Sequence, residues 1–348
     1  MKVTYITLDP LRYPRVKKIA HSLKKHQNIK FSVMIPKVRI IPRGGKVKRV
    51  IYAIVNYTMI VLQIFFTKSE IFWVANCPDI LAIPLILRKK YYIFDYRSPW
   101  SLQVESEFSW KFLVRLTAAL ENLALKHAKV ITLTTSKLIT KVKSFKKPIF
   151  VIPNYPLKRF GSSFIPREKF RELCGCSEKD KVVLFVGKLT RVEGADLLPK
   201  IIEGTLKRRT DIVFWIVGDG PFYPSLKEFA ERFPKNVKLF GWRPYEEIPS
   251  FIVAADVCII PRHKSPYSDF YNEEGVHKLS EYMFFEKPII ACGIAKSKEY
   301  LLVDETKMID SILNALNGVT FPSRRKTWED YSEKKIYKMF NLIESNRI

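Results

Sequence analysis

Cysteine and glycine are both scarce in this chain of 348 residues, which has only 5 cysteines and 13 glycines. The cysteines are odd in number, scattered, and mostly surrounded by apolar residues, which excludes a disulfide-stabilised scaffold and indicates a reducing compartment. Cys174 and Cys176 have no further cysteine or histidine at the spacing of a four-ligand site, so we expect no structural metal.

An apolar segment of comfortable membrane-spanning length is also lacking. Near the N-terminus, Asp9 interrupts the apolar run before it reaches the length of a signal-peptide core, so we expect no targeting segment. The longest apolar run, residues 50–66, contains Asn56 and Gln63 and is at the lower limit of the length that crosses a bilayer. A buried helix of an α/β domain explains this run at least as well, and we expect a soluble or surface-bound protein.

Acidic residues are few in the N-terminal half. Residues 1–150 contain 28 Lys and Arg but 7 Asp and Glu, a net charge of +21, whereas the remainder carries +5 of the total of +26. A local excess of this size implies an anionic partner: nucleic acid, an anionic membrane or a phosphorylated substrate. Because no helix-turn-helix or aromatic RNA-binding surface is recognisable, nucleic acid is the least favoured of the three.

Apolar strand-like segments alternate with helical patterns twice along the chain, before and after a linker rich in Pro, Gly and Ser near residues 154–168. This alternation predicts parallel sheets with right-handed crossovers. We therefore predict an α/β chain with two Rossmann-like, doubly wound domains, at residues 1–155 and 156–322, that face each other across a ligand-binding crevice. A final helix within residues 323–348 is predicted to cross back to the first domain.

The first candidate binding segment spans residues 186–198. A strand is predicted to end at Gly187, Lys188 follows at once, and a helix is predicted to begin near Gly194. A glycine turn at a helix N-terminus suits a phosphate, because free N–H groups point at it, and Arg191 adds a second positive charge. Taken alone, the same residues are typical of an ordinary turn with solvated side chains.

Two further segments add to this candidate site. A buried strand ends at Gly218 and Gly220, which lets the backbone approach a ligand closely. Lys278 and Glu281 are three residues apart on one face of a predicted helix, and Glu273 lies eight residues before Glu281. A carboxylate on such a helix can accept hydrogen bonds from both hydroxyls of a ribose, although a surface ion pair is the commoner explanation.

The order and spacing of these segments resemble glycosyltransferase family 4. The resemblance is specific across residues 178–293, where it is carried by VGKLTRVEG, VGDGP, NVKLFGW, ADVCIIP and KLSEYMFFEKPIIA, and it continues more weakly through the first half to Trp328 near the end. This family consists of retaining enzymes of the GT-B fold. The resemblance therefore implies a hexosyltransferase that moves a sugar from a nucleotide-diphosphate sugar to a hydroxyl acceptor, with no metal or other cofactor.

The resemblance also implies roles for particular residues. Lys188 is expected to bind the donor diphosphate, and Glu281 the donor ribose. Glu273 occupies the place of the first acidic residue of the family's E-x7-E element, which faces the donor sugar. Gly187 and the turn from Gly218 to Pro221 are expected to line the pocket; the complete predicted donor site comprises Gly187, Lys188, Arg191, Gly218, Gly220, Lys278 and Glu281, with Lys188 and Glu273 taking part in catalysis.

Two departures from the family pattern lie in the second half. Glu193 stands where the family commonly has a lysine, directly before Gly194. A carboxylate is therefore expected beside the diphosphate, and Arg191 is expected to supply the positive charge of the missing lysine. Glu286 stands where a glycine is expected before Lys287, which removes the preferred left-handed helix cap at a cost of up to ~1 kcal/mol. These differences point to an unusual donor or a weakened enzyme.

Two departures lie in the first half. The family's glycine-rich loop near the N-terminus is replaced by residues 8–10, and its histidine after the fourth strand is absent. The matching region offers Asp95 and Arg97 instead. We take Asp95 as the candidate polar group near the reacting centre.

The basic first half corresponds to the acceptor-binding half of GT-B enzymes. Its clusters suit a lipid-linked or glycan acceptor and the anionic inner face of the cell membrane, so we expect a cytoplasmic, peripheral protein; the candidate acceptor and membrane residues are Arg43, Lys46, Lys48, Arg49 and Arg97. Three alternatives stay open: nucleotide-sugar epimerisation on the same fold, a catalytically weak nucleotide-sugar-binding protein, and a nucleic-acid-binding protein that uses the basic half.

Overall fold

A computed structural model describes residues 1–8, 14–26, 28–34, 46–76, 78–107, 110–318 and 324–345. The chain divides into two units: the first comprises Met1–Pro153 and Asp330–Ile348, and the second comprises Asn154–Glu329. The sequence analysis places these divisions at 155/156 and 322/323. Each unit is an α/β domain built on a parallel sheet of six described strands.

The first unit has the strand order β2-β1-β3-β4-β5-β6, and all of its described strand pairs are parallel. Its elements are β1 (Lys2–Ile6), α1 (Pro14–Lys24), β2 (Lys30–Met34), α2 (Lys46–Phe66), β3 (Ile71–Ala75), a 3-10 turn (Asp79–Ala82), α3 (Ile83–Leu87), β4 (Tyr92–Tyr96), α4 (Trp100–Glu107), α5 (Lys111–His127), β5 (Val130–Leu133), α6 (Ile139–Val142) and β6 (Ile149–Val151). Strands β3 and β4 are buried along their whole length, as continuous apolar strands covered on both faces should be.

The last helix, Lys334–Glu344, packs on the first unit. The ring of Phe340 contacts that of Trp73 in β3, with 6.0 Å between centroids. The hydroxyl of Tyr337 donates to the Ser22 carbonyl oxygen at 3.2 Å, and Glu333 pairs with Lys25 at 2.9 Å. The apolar stripe of this helix thus completes the core on the α1 side of the sheet.

The second unit has the strand order β12-β11-β10-β7-β8-β9, again with parallel pairing. Its elements are α7 (Arg167–Leu173), β7 (Lys181–Val186), α8 (Leu198–Leu206), β8 (Ile212–Val217), α9 (Tyr223–Glu231), β9 (Val237–Gly241), α10 (Ile248–Ala254), β10 (Val257–Pro261), α11 (His277–Phe284), β11 (Ile289–Cys292), β12 (Leu301–Leu302) and α12 (Met308–Leu316); the final helix above is α13. One apolar cluster fills each face of this sheet.

Strand β7 lies between β8 and β10, so the chain reverses its direction of travel across the sheet at this position. Connections that leave β7 and β10 at their carboxyl ends diverge, and ligands of open α/β sheets bind in the crevice that results. The topology therefore places the turns that follow β7, β8 and β10 at one edge of the second unit.

The structure differs from the sequence predictions at several elements. Helix α8 begins at Leu198, with Pro199 in its first turn, rather than near Gly194. Helices α4, α6, α7 and α12 and the two-residue strand β12 were not predicted. No helix among the described residues is long and apolar enough to cross a membrane.

Candidate functional site

The glycine turns after β7 and β8 lie against each other. The N–H of Gly187 donates to the Val217 carbonyl at 2.9 Å, and the N–H of Gly218 donates to the Gly241 carbonyl at 2.8 Å. A Cβ atom on Gly218 would lie 1.8 Å from the Gly187 oxygen, so no side chain fits there. Gly220 approaches the Leu189 backbone in the same way. The structure thus brings Gly187, Gly218 and Gly220 together.

Gly194 joins this group from the other side of β7. Its φ of 76° lies in the left-handed region, and a Cβ would lie 1.4 Å from the Pro261 carbonyl oxygen at the end of β10. Because Gly194 lies in a turn four residues before α8, it does not open the helix as predicted. Its role is to hold the β7 turn against the carboxyl end of β10.

Glu193 links two cations at this edge. Its Oε1 lies 2.7 Å from Nη2 of Arg262, the first residue after β10, and its Oε2 lies 2.9 Å from Nζ of Lys278 on α11. Burial alone would raise the pKa of Glu193, but Lys278, Arg262 and the nearby charge of Lys188 lower it to about 2. Burial lowers the pKa of Lys278, an effect that the Glu193 carboxylate opposes.

The Lys278 ammonium reaches the first glycine turn. A Cβ on Gly187 would lie 3.0 Å from Lys278 Nζ, and the ammonium lies 4.3 Å from the centroid of the Phe185 ring in β7. The Val186 N–H donates to the Tyr282 hydroxyl at 2.8 Å, which fixes α11 against the same strand. The Lys278 ammonium therefore lies beside Gly187, and both residues belong to the predicted donor site.

The two predicted cations of the β7 turn are placed differently. Lys188 is exposed, and its charge reaches Glu193. The Arg191 side chain is 80% exposed, with its Nε 3.8 Å from Asp196. Arg262 and Lys278, rather than Arg191, pair with Glu193, and the expectation that Arg191 takes the place of the family's lysine at the diphosphate stays a prediction.

The carboxylates before and on α11 are both buried. Glu281 is 6% exposed and is hydrogen-bonded to Tyr245; burial, together with the charge of Glu281, raises the pKa of this tyrosine well above its ordinary value. Glu273 is 8% exposed, and its Oε2 has no hydrogen-bond partner among the described residues. A buried carboxylate oxygen of this kind is available to a ligand hydroxyl, and leaving it unsatisfied is costly. The commoner explanation of a surface ion pair is excluded for Glu281.

Asp95, the candidate polar group near the reacting centre, lies in the interior of the first unit. It is fully buried in β4, where its carboxylate receives hydrogen bonds from the Tyr5 hydroxyl at 2.7 Å and the Thr132 hydroxyl at 2.8 Å. Arg15 pairs with both oxygens, at 2.8 and 3.0 Å. These partners use the oxygens of Asp95 inside the first unit, and a role near the reacting centre stays a prediction.

The predicted acceptor residues are described only in part. Arg97 follows β4, and its backbone N–H and its Nη2 each donate to Asn76, at 2.8 Å in both cases. Arg43 lies outside the described residues. For Lys46, Lys48 and Arg49 only the helical backbone of α2 is described.

The sequence analysis missed Arg262 and Tyr245. Arg262 directly follows the ADVCIIP segment, so its place at the carboxyl end of a strand beside β7 was a usable signal. Tyr245 lies in the loop before α10, and no pattern connects it with Glu281. Among the described residues, no group of three or more His, Cys, Asp or Glu side chains is arranged to hold a metal ion.

The chain is similar to known proteins both in its sequence and in its fold. Residues 180–318 match the family described as Glycosyl transferases group 1. The phosphatidylinositol N-acetylglucosaminyltransferase GPI3 subunit of Saccharomyces cerevisiae is 31% identical over 114 residues, which cover 32% of this chain and 25% of the relative. The chain thus spans about a quarter of this relative's length. The predicted resemblance to a glycosyltransferase family is confirmed for residues 180–318.

The fold has solved counterparts over nearly the whole chain. HepE of Anabaena in complex with UDP has a TM-score of 0.69 at 13% identity, covering 98% of this chain and 100% of that one. A putative UDP-N-acetylglucosamine 2-epimerase from Listeria monocytogenes has a TM-score of 0.67 at 11% identity, covering 99% and 97%. The predicted GT-B fold is confirmed. Because an epimerase shares it, the fold alone does not identify the reaction.

Proposed function

We propose that this protein is a retaining glycosyltransferase that moves a hexose from a nucleotide-diphosphate sugar to a hydroxyl acceptor without a metal cofactor. The observation that carries the proposal is the arrangement around α11: the buried carboxylates of Glu273 and Glu281 belong to the same segment as Lys278, whose ammonium reaches the β7 glycine turn. The family match of residues 180–318 supports the same reaction.

Each group has a chemical task in this proposal. Glu281 accepts hydrogen bonds from the ribose hydroxyls, with Tyr245 as its neighbour, and the partner-free oxygen of Glu273 accepts from the donor sugar. Lys188 and Lys278 meet the negative charge that develops on the leaving diphosphate. Fixed cations and backbone N–H groups do this work well in a site that excludes water, because they need no reorganisation during the reaction.

Titration calorimetry with UDP, GDP, ADP and their common sugar conjugates tests the donor site. We expect one nucleotide to bind. We expect Glu281→Gln to weaken the affinity for this nucleotide about 10- to 100-fold, since hydrogen bonds to a charged group contribute roughly 1.5–3 kcal/mol. Glu231→Gln, at an exposed acid of the same unit, is the matched control and should bind as the parent protein does. Unchanged affinity in folded Glu281→Gln protein contradicts the site assignment.

Analysis of the reaction products distinguishes the proposed transfer from the alternative functions. Transfer of the sugar to a hydroxyl acceptor supports the proposal, whereas inversion of one sugar centre with no acceptor supports the epimerase alternative. Nucleotide binding without either reaction supports the weak nucleotide-sugar-binding protein that the Glu193 departure keeps open.

We further propose that the acceptor is lipid-linked and that the first unit works on the anionic inner face of the cell membrane. The outward face of α2 supports this, because its exposed side chains over 54–66 are apolar except for Thr58. The Thr58 hydroxyl donates to the Ile54 carbonyl at 2.9 Å, so its hydrogen is used within the helix. The remaining exposed side chains are Ile54, Val55, Met59, Leu62, Phe65 and Phe66.

Helix α5 adds apolar and basic side chains to the same unit. Phe112 is 78% exposed, and Leu116 and Leu123 are exposed further along the same helix. The basic residues Lys111, Arg115 and Lys126 are exposed on this helix too. The acids Asp79, Asp95 and Glu121 are buried, which leaves basic residues in excess at the surface. Exposed apolar side chains bordered by lysine and arginine match an anionic bilayer, where each basic residue contributes about 1 kcal/mol. The relative from yeast is named for phosphatidylinositol, itself an anionic lipid.

Flotation with lipid vesicles tests this surface. We expect the protein to bind phosphatidylserine-containing vesicles and to bind pure phosphatidylcholine weakly, and we expect Leu62→Ser with Phe66→Ser to reduce binding at least tenfold. Leu173→Ser removes an equally exposed apolar side chain from the second unit and is the control. Binding to polynucleotide but not to vesicles, or dimerisation lost in the α2 variant, would contradict the proposal and identify another partner.

A further inference from the structure

We propose that Glu193 determines which charge state of the nucleotide the donor site prefers. Its carboxylate acts as an internal anion at the diphosphate subsite, so the site holds the nucleoside diphosphate product less tightly, relative to the nucleotide-sugar donor, than its cations alone would. This inference rests on the proposed function, since it requires the donor diphosphate at the carboxyl edge of β7.

The two cations are held in place by groups other than Glu193. The Arg262 guanidinium lies 4.7 Å from the centroid of the Tyr271 ring, and its Nε donates to the Val192 carbonyl at 3.2 Å. The Lys278 ammonium lies over Phe185. Both cationic side chains are less than 10% exposed, whereas Glu193 is 22% exposed. A ligand that reaches this edge therefore meets the carboxylate together with the cations.

The backbone fixes the carboxylate at this position. Gly194 follows Glu193 directly, and only a residue without Cβ can approach Pro261 as Gly194 does. Gly187, which Lys278 touches, defines the end of β7 on the other side. Glu193 thus lies between the ends of β7 and β10, where the topology opens the binding crevice.

The charge of the ligand changes during transfer. Each phosphate of a nucleotide-diphosphate sugar is linked through one ester and one anhydride bond and carries one negative charge. When the bond to the sugar breaks, the terminal phosphate keeps only its anhydride link, and its second ionisation near pH 6 adds up to one further charge. Arg262, Lys278 and Glu193 together carry +1, and without the carboxylate they would carry +2. Repulsion by a fixed carboxylate grows with the charge of the ligand, so it acts more strongly on the product.

The lysine that the family resemblance implies at this position would attract the product instead. With Glu193 in its place, the structure assigns the site weaker product inhibition, at the expense of affinity for every diphosphate. Glu193 would thus speed the release of the product, in addition to weakening the binding of the donor.

Calorimetry on the full chain with the nucleoside diphosphate and its sugar conjugate tests this inference. At pH 8 we expect Glu193→Gln to lower the Kd of the nucleoside diphosphate about tenfold and the Kd of the sugar conjugate about threefold. The ratio of the two Kd values should therefore shift about threefold. At pH 5.5, where the second charge of the terminal phosphate is largely lost, the shift in ratio should vanish. Glu193→Asp, which keeps the charge, should stay near the parent ratio, and Glu231→Gln is the unrelated control.

Several outcomes overturn the inference. Equal tightening of both ligands at pH 8, or weaker binding of both, would make Glu193 only a holder of its two cations. Glu193→Gln could unfold because Lys278 is left buried without its carboxylate. In that case the double variant Glu193→Gln/Lys278→Met keeps the net charge of the cluster at +1 and should retain the parent ratio of Kd values. A threefold change in this ratio would contradict the inference. If the parent protein binds no nucleotide, the proposed function itself fails, whereas binding with an unchanged ratio removes only this inference.

Discussion

Buried carboxylates show how far the surroundings of single residues change their roles. Asp95 and Glu193 both lie beside arginine, but Asp95 is fully buried with four hydrogen bonds, and Glu193 remains partly exposed at the edge of a sheet. Burial would raise the pKa of Asp95, and Arg15 holds it below its ordinary value instead. The first carboxylate stabilises the fold, and the second is accessible to a ligand.

Glu286 is a residue whose backbone is strained. Its φ of 53° is in the left-handed region, at the position after α11 where a glycine cap was expected. Because glycine adopts this conformation without steric cost, we expect Glu286→Gly to raise the free energy of unfolding by about 0.5–1 kcal/mol. Urea denaturation measures this. Glu228→Gly, inside α9, should instead lower the stability by roughly 1 kcal/mol, and a loss of stability in Glu286→Gly would contradict the prediction.

At the scale of elements, the turns at the carboxyl ends of β7, β8 and β10 lie together through backbone contacts and make up most of the proposed donor site. The glycines there are required by distance as well as by conformation, since the neighbouring chain segments leave no room for Cβ atoms. Helix α11 contributes side chains to the same edge through Lys278 and the Tyr282 hydroxyl. The site is thus built by three turns and one helix of a single unit.

Gly194→Ala tests this backbone arrangement. The Cβ would lie 1.4 Å from the Pro261 oxygen, so the turn must move, and we expect a loss of roughly 2–4 kcal/mol of unfolding free energy together with at least tenfold weaker nucleotide binding. Gly318→Ala is the matched control: its φ is 97°, but nothing lies within 4 Å, so only the conformational cost of about 1 kcal/mol remains. Equal losses in the two variants would show that close approach is unimportant.

At the scale of the whole molecule, the two units differ in how charge is used. Among the described side chains of the first unit, most lysines and arginines are exposed, whereas the acids Asp79, Asp95, Glu121 and Glu333 are buried. The second unit pairs some of its basic residues with acids in partly buried positions, such as Arg171 and Arg167 with Asp256 at 2.6 and 2.5 Å. This difference fits a division between a unit that meets an anionic acceptor and a unit that binds a charged nucleotide.

Acid stability follows from these internal pairs. Burial would raise the pKa of Asp256, but the Val182 N–H, Arg167 and Arg171 hold it below its ordinary value. A depressed folded-state pKa contributes stability that is complete above the unfolded pKa near 4 and is lost as the pH falls. We expect Asp256→Asn to cost roughly 2–4 kcal/mol at pH 7 and much less at pH 3, as measured by urea denaturation.

The control for this prediction is Asp269→Asn, at an exposed acid of the same unit, which should change the stability by less than ~0.5 kcal/mol at either pH. A destabilisation of Asp256→Asn that stays constant between pH 7 and pH 3 would show that the pair contributes through packing rather than through charge.

The fold class and the candidate donor segments can be predicted from the order of residues along the chain. Strands of parallel sheets are continuous apolar runs such as 181–186 and 212–217, and the topology rule places whatever follows them at one edge. Gly187, Gly218 and Lys278 were therefore predictable as neighbours, because each lies at the end of a strand or at the start of a helix in a regular pattern. The assignment of these residues to donor binding stays a prediction.

Tertiary structure alone decided which charged groups pair. Nothing in the local sequence distinguishes Arg262 from Arg191 as the partner of Glu193, or shows that Asp95 is saturated by Tyr5, Arg15 and Thr132 from three other elements. Likewise, the period of α2 shows an apolar helix, but not that its outward face stays uncovered by the described residues. Local patterns fix the period and burial of an element, whereas a charged side chain's role depends on partners that only folding brings within about 3 Å.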